Sequence, residues 1–308
     1  MGDIVIHTSG LVMDYGKVRA LDGVDLEVER GEVFGFLGPN GAGKTTTIRI
    51  LLDLLRPNAG RAEIFGTTPE AGGPKLRARI GYLPGDLTMN GRLSARELLV
   101  HLANVRGGAG ADRIEPLAER FGLELDRGFR SLSKGNRQKV GVIQAFMHEP
   151  ELLILDEPTS GLDPLLQREM LDLILEVREQ GATVFMSSHV LSEAEDVTDR
   201  VAIIRVGKIV DVDDVHALRA HAGQSVELRF AEPVDAGAFT GLGCLDDLKV
   251  DGLRLTCLLH GEPDALLKAA AEYRVTYWAA EDRELEDLFL SYYKMPPEPA
   301  HEKEAGHE

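Results

Sequence analysis

The sequence predicts an α/β fold, because apolar runs of strand length alternate with segments whose apolar residues recur at helical spacing. Two buried-strand patterns, residues 152–155 and 183–186, flank a helix that we predict over 164–180. Asp163 is a typical N-cap for that helix, with a proline after it at the first helical position and Gly181 just beyond the end. These signals predict a parallel sheet with helices packed against it.

The beginning of the chain predicts a second, antiparallel sheet. Residues 4–35 read as short strands, such as 10–15 and 24–28, that are broken by glycine and aspartate. They lead into a short apolar run over 32–37, which is bounded by glycines and predicts a buried strand.

The middle of the chain predicts helices, and a hairpin follows them. Ser94 can cap a helix over 95–105, and a further helix is predicted over 114–121 after a glycine-rich break. Strand patterns joined by a glycine turn predict a hairpin over 201–211. We expect this hairpin to close a first domain of residues 1–215.

Beyond residue 215 the composition changes and predicts a small α+β domain over 216–294. Its predicted elements are strands over 226–230, 253–259 and 275–279, a helix over 263–272 and a last helix over 285–293. Residues 295–308 are rich in Pro, Glu and His, and we expect them to be a disordered tail because they carry little apolar surface to bury.

Composition is typical of a globular protein and disfavours nucleic-acid binding. The formal net charge is -17, without the clustered Lys and Arg that neutralise phosphates, so we expect no nucleic-acid partner. The spacing of Cys244 and Cys257 indicates neither a disulfide framework nor a zinc site. No apolar run approaches the roughly 18 to 20 residues that span a bilayer. We therefore expect a soluble protein of a reducing compartment.

A glycine-rich loop stands between the strand over 32–37 and a helix predicted over 44–55. Its residues follow the pattern G-x-x-x-x-G-K-T and are Gly38, Pro39, Asn40, Gly41, Ala42, Gly43, Lys44 and Thr45. Backbone N–H groups in such a loop bind an anion, and the helix N-terminus adds partial positive charge. Lys44 would reach the β and γ phosphates, Thr45 would bind Mg²⁺, and Thr46 would meet the α phosphate. The loop therefore predicts a nucleotide-binding protein.

Further candidate residues follow at strand ends and at a helix start. The apolar strand over 152–155 leads into Asp156, which suits the Mg²⁺ shell, and Glu157, which suits deprotonation of a water. Ser133 precedes a predicted helix and offers, with the backbone, a second anion site. His189 follows the strand over 183–186 and can donate to a γ phosphate.

This ordered set of motifs resembles the nucleotide-binding subunit of an ABC transporter, over residues 4 to about 215. The resemblance implies a P-loop NTPase core with a RecA-like sheet, an antiparallel β subdomain and a helical subdomain. It implies ATP and Mg²⁺ as cofactors and an ATPase activity. The implied catalytic residues are Glu157 as base, His189 as switch histidine, and Lys44.

The same resemblance assigns further residues to the nucleotide. Tyr15 matches the aromatic residue that stacks on adenine, and Val18 is assigned to the nucleotide with it. Ser133 and Gly135 match the signature loop, and Asp163 belongs to the D-loop, residues 160–163.

The sequence departs from the family pattern at two places. The signature loop is usually Leu-Ser-Gly-Gly-Gln, and here Lys134 and Asn136 interrupt it. Gly85 stands where the family usually has a glutamine that touches the Mg²⁺ shell. Our hypothesis is that the neighbouring Asp86 replaces this glutamine in contacting the Mg²⁺ shell, through a water molecule.

The resemblance also implies partners. In this family two copies clamp two ATP molecules between them, so we expect a homodimer, joined by membrane permease subunits at the cytoplasmic face of the membrane. The end of the C-terminal domain and the amino-acid sequence of the signature loop resemble those found in subunits of ABC-2-type exporters of the daunorubicin-resistance subgroup. This favours export of a drug, antibiotic or lipid-like substrate.

Other roles remain open from the sequence. Soluble ABC ATPases that act on chromosomes or ribosomes carry long coiled coils or two nucleotide domains, and this chain has one set of motifs and no sustained heptads. A regulatory or resistance ATPase without a membrane partner is the alternative function. A co-purifying membrane protein would separate these possibilities.

Overall fold

The computed structural model of the chain describes residues 3–87, 93–190, 194–215, 217 and 223–282. It divides the chain into two compact units, residues 1–215 and 216–308. Within the described residues, no helix has both the length and the apolar character that crossing a bilayer requires.

The first unit mixes strands and helices along the chain. In order, its described elements are β1 (Ile4–Tyr15), β2 (Val18–Glu29), β3 (Val33–Leu37), α1 (Lys44–Leu51), β4 (Ala59–Ile64), α2 (Pro69–Ala78), β5 (Ile80–Leu83), α3 (Ala95–Val105), α4 (Ile114–Arg120), α5 (Lys134–Phe146), β6 (Leu152–Asp156), α6 (Pro164–Glu179), β7 (Thr183–Ser188), β8 (Arg200–Arg205) and β9 (Lys208–Asp214). The helices predicted at α3, α4 and α6 are confirmed, with ends that agree to within one residue.

The main sheet has the strand order β5-β6-β7-β3-β8-β9 within the described residues. The first five strands in this order, from β5 through β3 to β8, pair in parallel. β9 pairs antiparallel with β8 and is the second strand of the predicted hairpin. The carboxyl ends of β3, β6 and β7 therefore meet at one edge of the sheet. Open α/β sheets bind their ligands at this edge.

Strand β6 is apolar up to its last residue, Asp156, because both faces of the sheet are covered. Leu153 and Leu155 pack into a core with the helical side of the unit, including Phe121 and Phe146. Leu152 and Ile154 point the other way, into a second core that includes the helix α1 and the N-terminal sheet. Successive side chains of β6 therefore contribute to cores on opposite faces of the sheet.

The N-terminal sheet, with order β2-β1-β4, differs from the prediction in strand length. β1 and β2 are strands of 12 residues each rather than several short ones. Gly10 and Gly23 have positive φ, 57° and 80°, and register shifts interrupt the ladder between β1 and β2. Glycines in these strands mark irregularities rather than ends.

The helix after the phosphate loop also differs from its prediction. α1 ends at Leu51, four residues before the predicted end at residue 55. Asp53, just beyond it, has a positive φ of 59°, which the α-helical conformation does not allow.

The second unit contains an antiparallel sheet of order β11-β12-β10-β13 in its described residues. Its elements are β10 (Gln224–Phe230), β11 (Leu245–Asp251), β12 (Arg254–Leu259), α7 (Asp264–Ala271) and β13 (Val275–Asp282). The predicted α+β pattern is confirmed here, except that β11 was not expected. The predicted helix over 285–293 and the tail over 295–308 lie outside the described residues. Cys244 and Cys257 are free thiols, and burial raises the pKa of Cys257 to about 11.

Candidate nucleotide-binding site

A cavity of about 130 Å³ lies over the glycine-rich loop at the carboxyl end of β3. The residues that line it come from the loop, from the start of α1, from β2 and from the end of β6. They are Ala20, Pro39, Asn40, Gly41, Gly43, Lys44, Thr45, Thr46 and Glu157. The structure thus places most of the predicted phosphate-binding residues around one cavity.

Two glycines of the loop have no room for a side chain. A Cβ atom at Gly38 would lie 2.3 Å from the carbonyl oxygen of Ile204. At Gly43, where φ is 121°, a Cβ atom would lie 2.9 Å from the carbonyl oxygen of Ala20. Glycine is therefore required at both positions, by close approach at the first and by close approach and φ at the second.

Lys44 begins α1 and folds back over the loop. Its Nζ donates to the carbonyl oxygen of Gly38 at 2.6 Å and to that of Pro39 at 3.2 Å. It also lies 3.9 Å from Oε1 of Glu157. Burial lowers the pKa of Lys44 below its ordinary value, and the neighbouring carboxylates oppose that shift. The ammonium group is positioned where a phosphate could replace the two carbonyl oxygens.

Asp156 ends β6 with its carboxylate held by two hydroxyl groups. Oγ1 of Thr45 donates to Oδ2 at 3.0 Å, and Oγ of Ser187 donates to Oδ1 at 2.7 Å. The residue is buried, so both carboxylate oxygens are satisfied by protein rather than by bulk water. The predicted metal residues Thr45 and Asp156 are thereby brought into direct contact.

Glu157 and His189 meet at the next position along the edge of the sheet. Nδ1 of His189 lies 3.2 Å from Oε1 of Glu157. Glu157 has a positive φ of 51°, a conformation that few residues other than glycine adopt. Such strain is found at functional sites, where surrounding contacts enforce it. The predicted base and the predicted switch histidine are neighbours in space.

Tyr15 and Val18 occupy the end of the hairpin between β1 and β2. They face each other as paired residues, and both are large apolar side chains left exposed, Tyr15 by 44% and Val18 by 66%. Ala20, two residues after Val18, lines the cavity. An exposed aromatic ring at this place offers a surface on which a base could stack.

Ser133 and Gly135 lie at the start of α5 and do not line the cavity in the described part of the chain. Ser133 is the N-cap of α5, and its Oγ accepts from the backbone N–H of Asn136 at 3.3 Å. The side chain is exposed. Gly135 lies close to the D-loop, since a Cβ atom there would be 2.9 Å from the carbonyl oxygen of Gly161.

Asp163 caps α6 rather than lining the cavity. Its Oδ1 accepts from the backbone N–H groups of Leu165 and Leu166, both at 3.1 Å. The predicted N-cap is confirmed. Its contact with a nucleotide stays a prediction.

Gly85, and not Asp86, is the residue that lies beside Asp156. A Cβ atom at Gly85 would be 3.3 Å from the carbonyl oxygen of Asp156 and 3.7 Å from its Oδ2. Asp86 is exposed. The metal role of Asp86 therefore stays a hypothesis that no described contact supports.

The oxygen atoms near the loop suit Mg²⁺. Thr45 and Asp156 provide hard oxygen ligands, which Mg²⁺ prefers. In the part of the chain that the structure describes, no three His, Cys, Asp or Glu side chains are grouped to hold a metal alone. This agrees with the habit of Mg²⁺ to combine one or two protein oxygens with waters and substrate phosphates.

Two residues of the site were missed from the sequence. Ala20 lines the cavity although it carries no chemical signal. Ser187 contacts Asp156, and its hydroxyl near the end of a buried strand was the one available hint. Neither contact follows from local sequence, because each depends on strand neighbours far away in the chain.

Comparison with known proteins agrees with the nucleotide-binding site that the geometry indicates. The family described as ABC transporter matches residues 21–160. Bacitracin transport ATP-binding protein BcrA of Bacillus licheniformis is 41% identical over 210 residues, which are 67% of this chain and 69% of that protein. Daunorubicin/doxorubicin resistance ATP-binding protein DrrA of Streptomyces peucetius is 37% identical over 226 residues, 72% of this chain and 68% of that protein.

A solved structure gives the same result at the level of the fold. It is described as the structure of an ATP binding subunit of an ABC transporter, and it is 32% identical with a TM-score of 0.66. The match covers 70% of this chain and 92% of the other.

Proposed function

The chain belongs to the ABC transporter family of ATPases, and on that premise we propose that its ATP hydrolysis powers export of a drug, antibiotic or lipid-like substrate through separate membrane subunits. The observation that carries the ATP hydrolysis in this proposal is the grouping of Lys44, the pair Thr45 and Asp156, and the pair Glu157 and His189 at one edge of the sheet. In this proposal residues 1–215 are the nucleotide-binding domain and 216–294 an accessory domain.

The names of the relatives support a role in ATP-dependent transport or resistance. One relative is a bacitracin transport protein and the other a daunorubicin/doxorubicin resistance protein, and both are ATP-binding proteins. The described residues provide no membrane-spanning helix, so the transport path is assigned to other subunits. The chain would then act at the cytoplasmic face of the membrane, bound to those subunits.

The phosphate loop binds the ATP phosphates in this mechanism. Backbone N–H groups of the loop donate to the phosphates, and the N-terminus of α1 adds its dipole. Lys44 exchanges its bonds to the carbonyl oxygens of Gly38 and Pro39 for charge-assisted bonds to phosphate oxygens. The exposed ring of Tyr15 stacks on adenine, with Val18 beside it.

Glu157 then acts as the general base for the attacking water. Its carboxylate is within reach of both Lys44 and His189, at 3.9 and 3.2 Å. It takes the proton from the water, while His189 donates a hydrogen bond to the γ phosphate. Thr45 and Asp156 are the residues that would hold Mg²⁺, which supplies charge neutralisation at the phosphates when bound.

A second copy of the chain completes the site in this proposal. Ser133 and the backbone at the start of α5 form an exposed helix N-terminus, which suits a γ phosphate presented by another copy. Asp163 is the last residue of the D-loop, and the D-loop lies beside this helix start through Gly135 and Gly161. The homodimer therefore contains two ATP sites, each built from two chains.

Replacing Glu157 by glutamine tests the base. Glu157→Gln keeps the size of the side chain but removes the proton acceptor, so the ATPase rate should fall by roughly 10²–10⁴ while ATP still binds. Steady-state phosphate release and equilibrium ATP binding measure the two effects. Glu179→Gln, at an exposed position of α6, is the matched control and should keep the wild-type rate.

A wild-type rate in Glu157→Gln would refute the assignment of the base. The transport proposal has a separate test, since the chain should co-purify with a polytopic membrane protein from its own cells. A chain that hydrolyses ATP but never associates with membranes would favour the soluble alternative.

A further inference from the structure

We propose that Ser187 is a positioning residue that sets both acidic groups of the site, the Mg²⁺-side carboxylate of Asp156 and the backbone of Glu157. The proposal rests on the ATP hydrolysis proposed above. Oγ of Ser187 donates to Oδ1 of Asp156 at 2.7 Å and accepts from the backbone N–H of Glu157 at 3.2 Å. One hydroxyl group therefore contacts both residues.

The register of the main sheet places Ser187 there. Asp156 and Ser187 are paired neighbours on the parallel strands β6 and β7, the last pair of that ladder. Ser187 is fully buried, so its hydroxyl has no water to bond instead. Ser188 shows the contrast, because its Oγ bonds to the backbone of Val190 and not to either acidic residue.

The bond to Asp156 fixes which carboxylate oxygen faces the phosphate loop. A serine hydroxyl can donate one hydrogen bond, and Ser187 donates it to Oδ1 of Asp156. Oδ2 is then left to face Thr45, the predicted Mg²⁺ ligand, at 3.0 Å. Without the hydroxyl, the carboxylate could rotate and Oδ1 would be buried with no donor. Residues that orient a metal-side ligand in this way tune metal affinity.

The second bond supports the strained backbone of Glu157. Its φ of 51° is an unfavourable conformation for a residue with a Cβ atom. The backbone N–H of Glu157 bonds to Ser187 through both the carbonyl oxygen and the hydroxyl, each at 3.2 Å. The bonds hold the turn that points the glutamate carboxylate toward His189 and the cavity.

A purely structural role would make Ser187 one more buried hydroxyl of β7, and Thr183 provides the comparison. Thr183 is also fully buried, at the opposite end of β7, and its Oγ1 accepts from the backbone N–H of Gly31 at 2.9 Å. It contacts none of the acidic residues of the site through that bond. Thr183→Val removes a buried hydroxyl and keeps the shape, so it controls for lost stability alone.

The experiment compares Ser187→Ala, Ser187→Thr and Thr183→Val in the full chain. The readouts are the Mg²⁺ concentration that gives half the maximal ATPase rate, and binding of a non-hydrolysable ATP analogue in Mg²⁺ and in EDTA. For Ser187→Ala we expect the half-saturating Mg²⁺ concentration to rise about 10-fold, with weaker analogue binding in Mg²⁺ and unchanged binding in EDTA. Ser187→Thr keeps the hydroxyl and should restore the wild-type Mg²⁺ dependence.

Thr183→Val should lower the melting temperature and leave the Mg²⁺ dependence unchanged. The inference is overturned if Ser187→Ala keeps the wild-type Mg²⁺ dependence, or if Thr183→Val shifts it equally. Ser187→Cys, close to serine in shape but a weak donor, replaces the alanine variant if that variant does not fold. A wild-type chain without Mg²⁺-dependent hydrolysis would instead contradict the proposed function, so the two failures are distinguishable.

Discussion

His148 is a half-buried histidine outside the nucleotide site, and it should make the fold sensitive to acid. Its Nε2 donates to the carbonyl oxygen of Ile80 at 3.2 Å. Burial, assisted by the nearby Arg106, lowers the pKa of His148 to about 4. The unfolded chain therefore binds this proton more readily than the folded chain between about pH 4 and 6.5, so stability falls as the pH drops through that window.

Because of His148, we expect the free energy of unfolding to fall by about 2 kcal/mol when the pH is lowered from 7 to 5. His148→Gln should remove that part of the pH dependence of the unfolding free energy, measured by urea denaturation at both pH values. His101→Gln, at an exposed position of α3, should keep the same pH dependence of the unfolding free energy as wild type. Equal pH dependence in wild type and His148→Gln would contradict the prediction.

The phosphate loop was predictable residue by residue, whereas the contacts around it were not. The pattern from Gly38 to Thr45 is local, and local spacing determines where its N–H groups and its lysine point. The contact of Ser187 with Asp156 joins residues 31 positions apart and depends on strand register. A single sequence does not reveal such a register, because many parallel pairings would bury the same apolar side chains.

The helix α6 begins at a residue that has two possible roles, and stability separates them. Asp163 accepts two backbone N–H groups of α6, so Asp163→Ala should cost about 1 kcal/mol and lower the melting temperature by about 2–4 °C. Asp163→Asn keeps the cap and should melt close to wild type. Thermal unfolding of both variants measures the effect.

An alanine variant that melted like wild type would show that the cap contributes little. If Asp163→Asn lost ATPase activity at unchanged stability, the charge at this residue would have a role in the nucleotide site beyond the cap.

Helices with an N-cap signal were predicted well, whereas strands that contain glycines or many charged residues were not. The capped helices α3 and α6 agree closely with prediction because Ser94 and Asp163 act locally on their own first turns. β1 and β2 were divided wrongly because tertiary pairing carries a strand through its glycines. β11 was missed because its sequence, with three aspartates and a lysine, has the composition of a solvated loop.

Whether two copies share each ATP site is a property of the assembled molecule, and mixing defective variants tests it. Lys44→Ala damages the phosphate loop, and Ser133→Ala damages the opposing helix start. In a mixed dimer one site carries both defects and the other carries none, so an equal mixture should recover up to about a quarter of the wild-type sites. ATPase assays of the mixture and of each variant alone measure the recovery.

A control pair makes this test specific. Lys44 and Glu157 line the same cavity of one chain, so mixing Lys44→Ala with Glu157→Gln leaves no intact site and should recover nothing. A mixture of Lys44→Ala and Ser133→Ala that is no more active than its components would contradict a shared site.

Trp278 is the single tryptophan of the chain, and it lies on β13 of the second unit with 37% of its surface exposed. Indole fluorescence therefore comes entirely from the second unit and not from the unit that contains the phosphate loop. Nucleotide binding to the first unit can be measured separately, while the fluorescence of Trp278 reports on the second unit. A spectral response of the indole to added ATP would thus be direct optical evidence of communication between the two units.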